Sequence, residues 1–267
     1  NMFKFCVLGS GSRGNATYIE SDGKALLIDA GFSGVEMERR LADIDASPEK
    51  IAAILVTHEH HDHLMGVGIL ARKLGVTVIA NAPTLRAGEK KLGKISNYQG
   101  FTTGESFGFA GFFIHPFSVS HDSADPVGFV ISREGCSLGY CTDTGMVSRL
   151  IHHRLSACHG LIIEANHDPE MLMNGPYPLY LQQRVRSRSG HLANEEAARF
   201  IGTLVHDGLE HVVLAHLSET NNDPSLALDR VMAVLDEKPS TERTPRISLG
   251  WQGRVGEVVS LVGGGSV

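Results

Sequence analysis

The chain has 267 residues, 42% of them hydrophobic, a length that fits one α/β domain with a large buried core. No apolar run reaches the roughly 18 residues that span a bilayer, which argues against a membrane protein. The net charge of −6 excludes a globally basic polyanion binder, so any nucleic-acid contact needs a local basic patch.

Taken in chain order, Phe3 to Leu8, Ala16 to Glu20 and Ala25 to Asp29 are short β-like runs separated by Gly, Ser and Asn. Met2 enters the first of them directly, so no secretory leader is expected, and Asn1 reads as a cloning remnant. A helix is predicted over Gly34 to Ala42, a buried strand over Ile51 to Val56, and a helix over Leu64 to Leu74. Strands follow at Thr77 to Ala80, Phe112 to Val119, Gly128 to Ser132 and Ser137 to Cys141. The second half alternates: Leu161 to Glu164, a Pro-rich bend, Leu179 to Arg186, Asn194 to His206, His211 to Ala215 and Pro224 to Leu235. Two β-rich halves that both carry helices point to two sheets face to face with helices outside. One domain is expected over residues 2–260, followed by a flexible tail over 261–267 containing Gly263, Gly264 and Gly265. Four cysteines (Cys6, Cys136, Cys141, Cys158) form no CxxC pair, which fits a reducing, cytoplasmic setting.

The strongest local signal is Thr57-His58-Glu59-His60-His61-Asp62-His63, directly after the buried strand. His58 and His60 lie two apart, so an extended loop turns both the same way. Asp62 and His63 stand where the next helix begins, with Asp62 suited to an N-cap. Two imidazoles can then close on one ion while Asp62 and His63 close on a neighbour. Strand ends opening into helices are where α/β proteins place their sites.

This His58-x-His60-x-Asp62-His63 pattern resembles the signature of the metallo-β-lactamase superfamily, which implies a four-layer αββα sandwich with a metal site between the sheets. The resemblance also implies three further ligands, and the chain offers each in order: His121 in Ser118-Val119-Ser120-His121-Asp122, Asp143 in Thr142-Asp143-Thr144-Gly145, and His216 in Leu214-Ala215-His216-Leu217-Ser218. The implied set is His58, His60 and His121 for one divalent ion, Asp62, His63 and His216 for a second, and Asp143 between them. All donors are nitrogen or oxygen, unlike the cysteine-rich, closed structural zinc sites. Zinc, manganese and iron all fit such a set, and a water ionised by the pair is the implied nucleophile.

Two further residues resemble elements of the phosphodiesterase branch that includes tRNase Z: Glu164 in Ile163-Glu164-Ala165, and His191 in Gly190-His191-Leu192. There the histidine faces the leaving group and the glutamate orients it; a leaving phosphodiester oxygen needs a proton, and a histidine held by a carboxylate supplies one near neutral pH. The implied catalytic residues are thus Asp62, His191 and Glu164. The chain is most similar to the YycJ/WalJ-like group of small single-domain members. It shares a Gly-Ser-Gly-Ser-x-Gly-Asn opening (Gly9 to Asn15), His121-Asp122, and His216-Leu217-Ser218-x-x-Asn221-Asn222. That group is associated with nuclease-type activity at DNA 5′ ends, so the implied partner is a nucleic acid or another phosphodiester. One departure is Ala193, where the group pattern has Ser, which touches a helix cap. The segment between Glu164 and His191 is too short for the inserted domain of larger relatives.

Gly9-Ser10-Gly11-Ser12-Arg13-Gly14 also fits G-x-G-x-x-G, but the β-like Asn15 to Glu20 follows instead of a helix, so the glycines shape a hairpin. Its backbone N–H groups can still meet a phosphate, which makes Ser12 and Asn15 expected substrate contacts. Arg184, Arg186 and Arg188 precede His191, with 184 and 188 on one face of a helix; Arg188 is the third expected contact. Rival readings are a glyoxalase-like thioester hydrolase, which lacks its added C-terminal region here, and a non-catalytic metal-binding partner protein. Asp143 counts against a lactamase.

Overall fold

Apolar alternation along β1 (Phe3–Gly9) sends Phe3, Phe5 and Val7 to one face and Cys6 and Leu8 to the other. Both faces are buried, and the same two-sided burial recurs through the computed structural model, which describes residues 2–238 and 244–263. β2 (Ala16–Ser21) and β3 (Lys24–Ile28) continue as an antiparallel meander, so the Gly-Ser segment between β1 and β2 is the expected hairpin turn. After α1 (Gly34–Ala42) the chain adds β4 (Ile51–Leu55) parallel to β3. It then passes through α2 (His61–Leu64) and α3 (Val67–Leu74) to β5 (Thr77–Asn81), and through α4 (Ala82–Leu92) to β6 (Tyr98–Phe101).

The second sheet begins as an antiparallel run of β7 (Phe107–Phe109), β8 (Phe112–Ser118), β9 (Val127–Arg133) and β10 (Cys136–Cys141). Helix α5 (Arg149–Leu155) leads to β11 (Gly160–Glu164), parallel to β10. Then come α6 (Pro169–Asn174), α7 (Leu179–Val185), α8 (Asn194–Leu204) and β12 (His211–Ala215). α9 (Pro224–Asp236) precedes β13 (Arg246–Leu249), and β14 (Val259–Leu261) returns to pair with β1 in the first sheet.

Three apolar clusters fix the layers. Phe3, Phe5, Ile28 and Leu55 from the first sheet meet Phe112, Phe129, Ile162 and Val213 from the second. The outer face of the first sheet packs on Met37, Leu41 and Leu70 of its helices, and that of the second on Leu155, Ile201 and Val231. This is the expected αββα sandwich. No helix among the described residues is long and apolar enough to cross a membrane.

Several expectations need correction. The helix expected over Leu64 to Leu74 is two helices, because Gly66 turns the chain between them: its N–H donates to Ala30 O at 2.7 Å, and a Cβ there would lie 2.2 Å from Phe32 O. His60, not Asp62, caps α2, and Asp62 sits in its first turn. The Pro-rich bend contains α6, capped by Asp168 with Pro169 in its first turn. Helices α4 and α5 and strands β6, β7, β13 and β14 are elements that the sequence pattern does not predict. Strand β14 takes Leu261, and the N–H groups of Val262 and Gly263 donate to Glu210, so the chain is held three residues past the expected boundary. Residues 264–267 of the expected tail lie outside the described residues.

The turn after β3 shows how tightly the site-bearing loops are stitched. Gly31 N–H donates to Asn15 O at 2.9 Å, Asn15 N–H to Asp62 O at 2.8 Å, and Ala30 N–H to His63 O at 3.0 Å. A Cβ on Gly31 would lie 1.6 Å from the Asp62 carbonyl oxygen, a backbone atom that cannot swing aside. Gly31→Ala should therefore destabilise the fold by roughly 3 kcal/mol, the upper end of ordinary overpacking. Urea unfolding checks this; an unchanged midpoint at unchanged m would contradict the packing described.

Candidate metal centre and active site

The strands β3, β4, β8, β10, β11 and β12 all end at one rim, and each end, or the loop just beyond it, carries a polar group: Asp29, the His58–His63 loop, His121, Asp143, Glu164 and His216. Three of these, Asp29, Asp143 and His216, have φ of 57°, 53° and 56°. Left-handed backbone is uncommon in non-glycine residues and clusters at functional sites. Here it turns the chain sharply off each strand as it enters the rim.

The structure brings together all seven expected ligands. Ligand atoms of His58, His60 and His121 lie within 4.8 Å of one another, as do those of Asp62, His63 and His216, and those of His58, His63 and Asp143. Asp143 stands between the sets: its carboxylate lies 3.8 Å from His121 Nε2 and 3.5 Å from both His63 Nε2 and His216 Nε2. His60 Nδ1 and His121 Nε2 face each other at 3.3 Å.

Four of the imidazoles are anchored by one nitrogen. His58 Nδ1 meets Thr57 Oγ1 at 2.9 Å, His63 Nδ1 donates to Asp29 Oδ2 at 2.7 Å, His121 Nδ1 meets Gly190 O at 3.3 Å, and His216 Nδ1 meets Glu164 Oε1 at 3.0 Å. Their other nitrogens converge on the cluster, and the Nε2 atoms of His58 and His216 are buried with no hydrogen-bond partner. A buried, unpaired ring nitrogen is costly unless something accepts its lone pair. The residues therefore fit divalent cations, and the anchored nitrogens are what orients imidazole ligands.

Electrostatics agree. Burial opposes charge on His216, but the carboxylates of Asp143, Asp62 and Glu164 override it and lift the imidazole to about 10. His63 is likewise disfavoured by burial yet drawn well above its ordinary value by Asp143, Asp29 and Asp62. Asp143 is held well below the carboxylate range: burial would raise it, and His216 and His63 prevail. Burial pushes His58 and His121 down, leaving them neutral. The carboxylate side demands positive charge, which protons can meet; a divalent ion meets it too and releases those protons on binding.

His191 stands beside this cluster, its ring centroid 5.0 Å from that of His216 and 5.2 Å from that of His121. Its Nδ1 donates to Glu164 Oε1 at 2.7 Å. Glu164 is fully buried and also accepts the N–H groups of Thr144 and Leu192, each at 3.1 Å. Burial would raise its pKa, but His191 and the hydrogen bonds from His191 and His216 hold it at about 2. Glu164 is shut away from solvent and hydrogen-bonds two histidines, His191 and His216. A cleft of about 160 Å³ opens over His121, His191 and His216, and Ser12 and Arg184 line it.

Two expected substrate contacts do not reach this cleft. Asn15 is 1% exposed, its amide held by Gly11 and set against Asp62 Oδ2 at 3.2 Å and His63 Nε2 at 3.1 Å, so it braces the ligand loop. Arg188 lies beyond the end of α7 and lines no part of the cleft, while Arg184 does, paired there with Asp122 at 2.7 Å. Ala193 caps α8 without a side-chain bond, and Glu196 instead accepts the Ala193 N–H. The residue missed outright is Asp29, which ties Thr57 N–H, Thr57 Oγ1 and His63 together. Its only mark in the sequence is an acid at a strand end before Ala-Gly.

A beta-lactamase superfamily domain model matches residues 24–217. Exodeoxyribonuclease YycJ of Bacillus anthracis is 40% identical over 236 residues, 88% of this chain and 89% of that protein. Exodeoxyribonuclease WalJ of Streptococcus pneumoniae is 42% identical over 229 residues, 84% of this chain and 85% of that protein. Among solved structures, the metallo-β-lactamase fold protein YhfI of Bacillus subtilis superposes with a TM-score of 0.74 at 17% identity, covering 97% of this chain and 100% of that one. The short form of human tRNase Z gives 0.64 at 18% identity, covering 96% and 99%, a likeness of fold. With rim geometry, family model and close relatives in agreement, the chain belongs to the beta-lactamase superfamily and has its metallo-β-lactamase fold.

Proposed function

We propose that the chain is a binuclear metal-dependent phosphodiesterase that degrades DNA from 5′ ends. The observation that carries this reading is His191, held through Nδ1 by the buried Glu164 and opening into the cleft over the imidazole cluster. The two relatives named exodeoxyribonucleases, similar over most of both chains, support the substrate class. His58, His60 and His121 would hold one ion, Asp62, His63 and His216 the other, with Asp143 shared; zinc and manganese both suit these donors. When bound, the pair supplies Lewis acidity that acidifies water and neutralises charge on the phosphoryl oxygens. Four unpaired, buried cysteines fit a reducing, cytoplasmic setting.

The chain's own groups do the rest. Hydrolysis adds the oxygen of water to phosphorus and breaks the bond to the leaving oxygen, which then needs a proton. With Nδ1 committed to Glu164, Nε2 is the His191 atom that can deliver it. Glu164 fixes the ring's tautomer and orientation. The Asp62 side chain is 23% exposed against 5% for Asp143, so Asp62 is the carboxylate placed to orient the attacking water. Arg184 and Asp122 form an ion pair with side chains 59% and 37% exposed. Such pairs contribute about 0–1 kcal/mol, so exchanging Asp122 for a substrate phosphate is cheap. Ser12, exposed on the cleft wall, is a second substrate contact.

Labelled single- and double-stranded DNA and RNA, incubated with Mn²⁺ or Zn²⁺, test the reading. Metal-dependent loss of DNA that disappears in Asp62→Ala is expected, and equal turnover by that variant would remove the site from the chemistry. His191→Ala should lower turnover by about 10²–10⁴-fold, the usual worth of a positioned proton donor, with metal content unchanged; undiminished turnover would exclude it as the donor. Asp29→Asn, which weakens the hold on His63 Nδ1, should cost about 10–100-fold in metal affinity. Competition against a chromogenic chelator reads this, and wild-type affinity would show that Asp29 only braces the fold.

A further inference from the structure

Beside α5, on the outer face of the second sheet, strand alternation turns Phe113, His115, Val130 and Ser132 away from the core between the sheets. Between them and Arg154 of α5 lies a cavity of about 260 Å³. No residue of the metal cluster lines it, and it shares none with the cleft over that cluster. Its size falls just below that of drug-sized sites and calls for a small ligand.

The sign of that ligand's charge follows from what the walls hold. None of the lining residues is acidic, although the chain carries 30 Asp and Glu against 24 Lys and Arg. The half-buried Arg154 side chain makes no hydrogen bond or ion pair among the described residues, and its Nε is buried without a partner. His115, 7% exposed, meets Ser106 Oγ through Nδ1 at 2.7 Å, while its Nε2 is buried and unpaired. Burial and the charge of Arg154 hold this imidazole below its ordinary value, so it is neutral at neutral pH. With Ser106 donating its hydroxyl proton to Nδ1, the ring proton sits on Nε2. A charged fork and a ring N–H left unpaired in a half-buried wall carry a cost that an incoming oxyanion removes. The guanidinium plane matches a carboxylate or a phosphate in bidentate fashion.

The rest of the wall adds apolar surface. Phe113 is more than half exposed, and Val130 is only partly buried. A bare ion would leave both uncovered, whereas an aromatic or aliphatic body attached to the anion covers them.

We propose that this cavity is a binding site, separate from the metal centre, for a small organic oxyanion, with its carboxylate or phosphate on Arg154 and His115 Nε2 and its apolar body on Phe113 and Val130. Binding there ties α5 to β8 and needs neither the metal ions nor the cleft.

Fluorine NMR titration of the metal-loaded chain tests this with para-fluorobenzoate, para-fluorophenyl phosphate and the uncharged para-fluorobenzyl alcohol. The better of the two anions should bind at least about tenfold more tightly than the alcohol, and its identity tells which head group the site prefers. Arg154→Gln should weaken that anion by about 10–100-fold, the usual worth of a hydrogen bond to a charged group. Asp62→Ala, in the metal cluster, should leave its affinity unchanged. Equal affinity for anion and alcohol would overturn the proposal on the wild-type chain alone, as would no binding of either anion at millimolar concentration. Binding that survives Arg154→Gln and disappears in Asp62→Ala would also overturn it, since the anion would then sit on the metal ions.

Discussion

Negative charge packed into a ring of imidazoles governs this structure. Asp29, Asp143 and Glu164 are all but fully buried, and Asp62 lies against His63 and His216. Removing carboxylates from water is costly unless positive charge and hydrogen bonds meet them. The chain meets that demand with histidines, each of four held at one nitrogen by Thr57, Asp29, Gly190 O or Glu164. What remains are inward-facing nitrogens, two of them without a partner. A site organised this way is incomplete as protein alone and matches what divalent cations require.

The same constraint explains the loops. Asn15 clamps Gly11 to the Asp62–His63 turn, Ser10 Oγ accepts the His216 N–H at 2.7 Å across the two sheets, and Gly31 lets two backbones touch. Sandwich and site are therefore one construction. The strands supply a rigid rim, the left-handed residues at Asp29, Asp143 and His216 break away from it, and the hairpin turn after β1 locks the two halves. His191 keeps a fifth of its side chain exposed while its anchor, Glu164, is buried, the disposition expected of a group that exchanges protons with a ligand.

Much of this was legible in the amino-acid sequence, and for identifiable reasons. The His58–His63 run is dense and follows a buried strand, so its chemistry could be read locally. His121, Asp143 and His216 were readable only through resemblance, since a lone histidine or aspartate at a strand end carries no local signature. Asp29 shows the limit: its role is set by a contact to His63 across 34 positions. Asn15 looked like a phosphate contact because the Gly-Ser turn is polar, yet the turn folds inward on the ligand loop. Helical spacing pairs Arg188 with Arg184, but the helix ends at Val185 and, of the two, only Arg184 lines the cleft. Helix α5 is seven residues with little periodicity, which hides it in the sequence, whereas Asn81 and Pro83 are legible start signals for α4.

The central claim is that residues drawn from 58 to 216 clasp a pair of divalent ions through a shared Asp143. Metal content per chain, measured by mass spectrometry after reconstitution and desalting, tests it most directly. Two ions per wild-type chain, with loss of at least one in Asp143→Ala, is the predicted result. A chain that takes up no divalent ion, or an Asp143→Ala variant that keeps both, would contradict it.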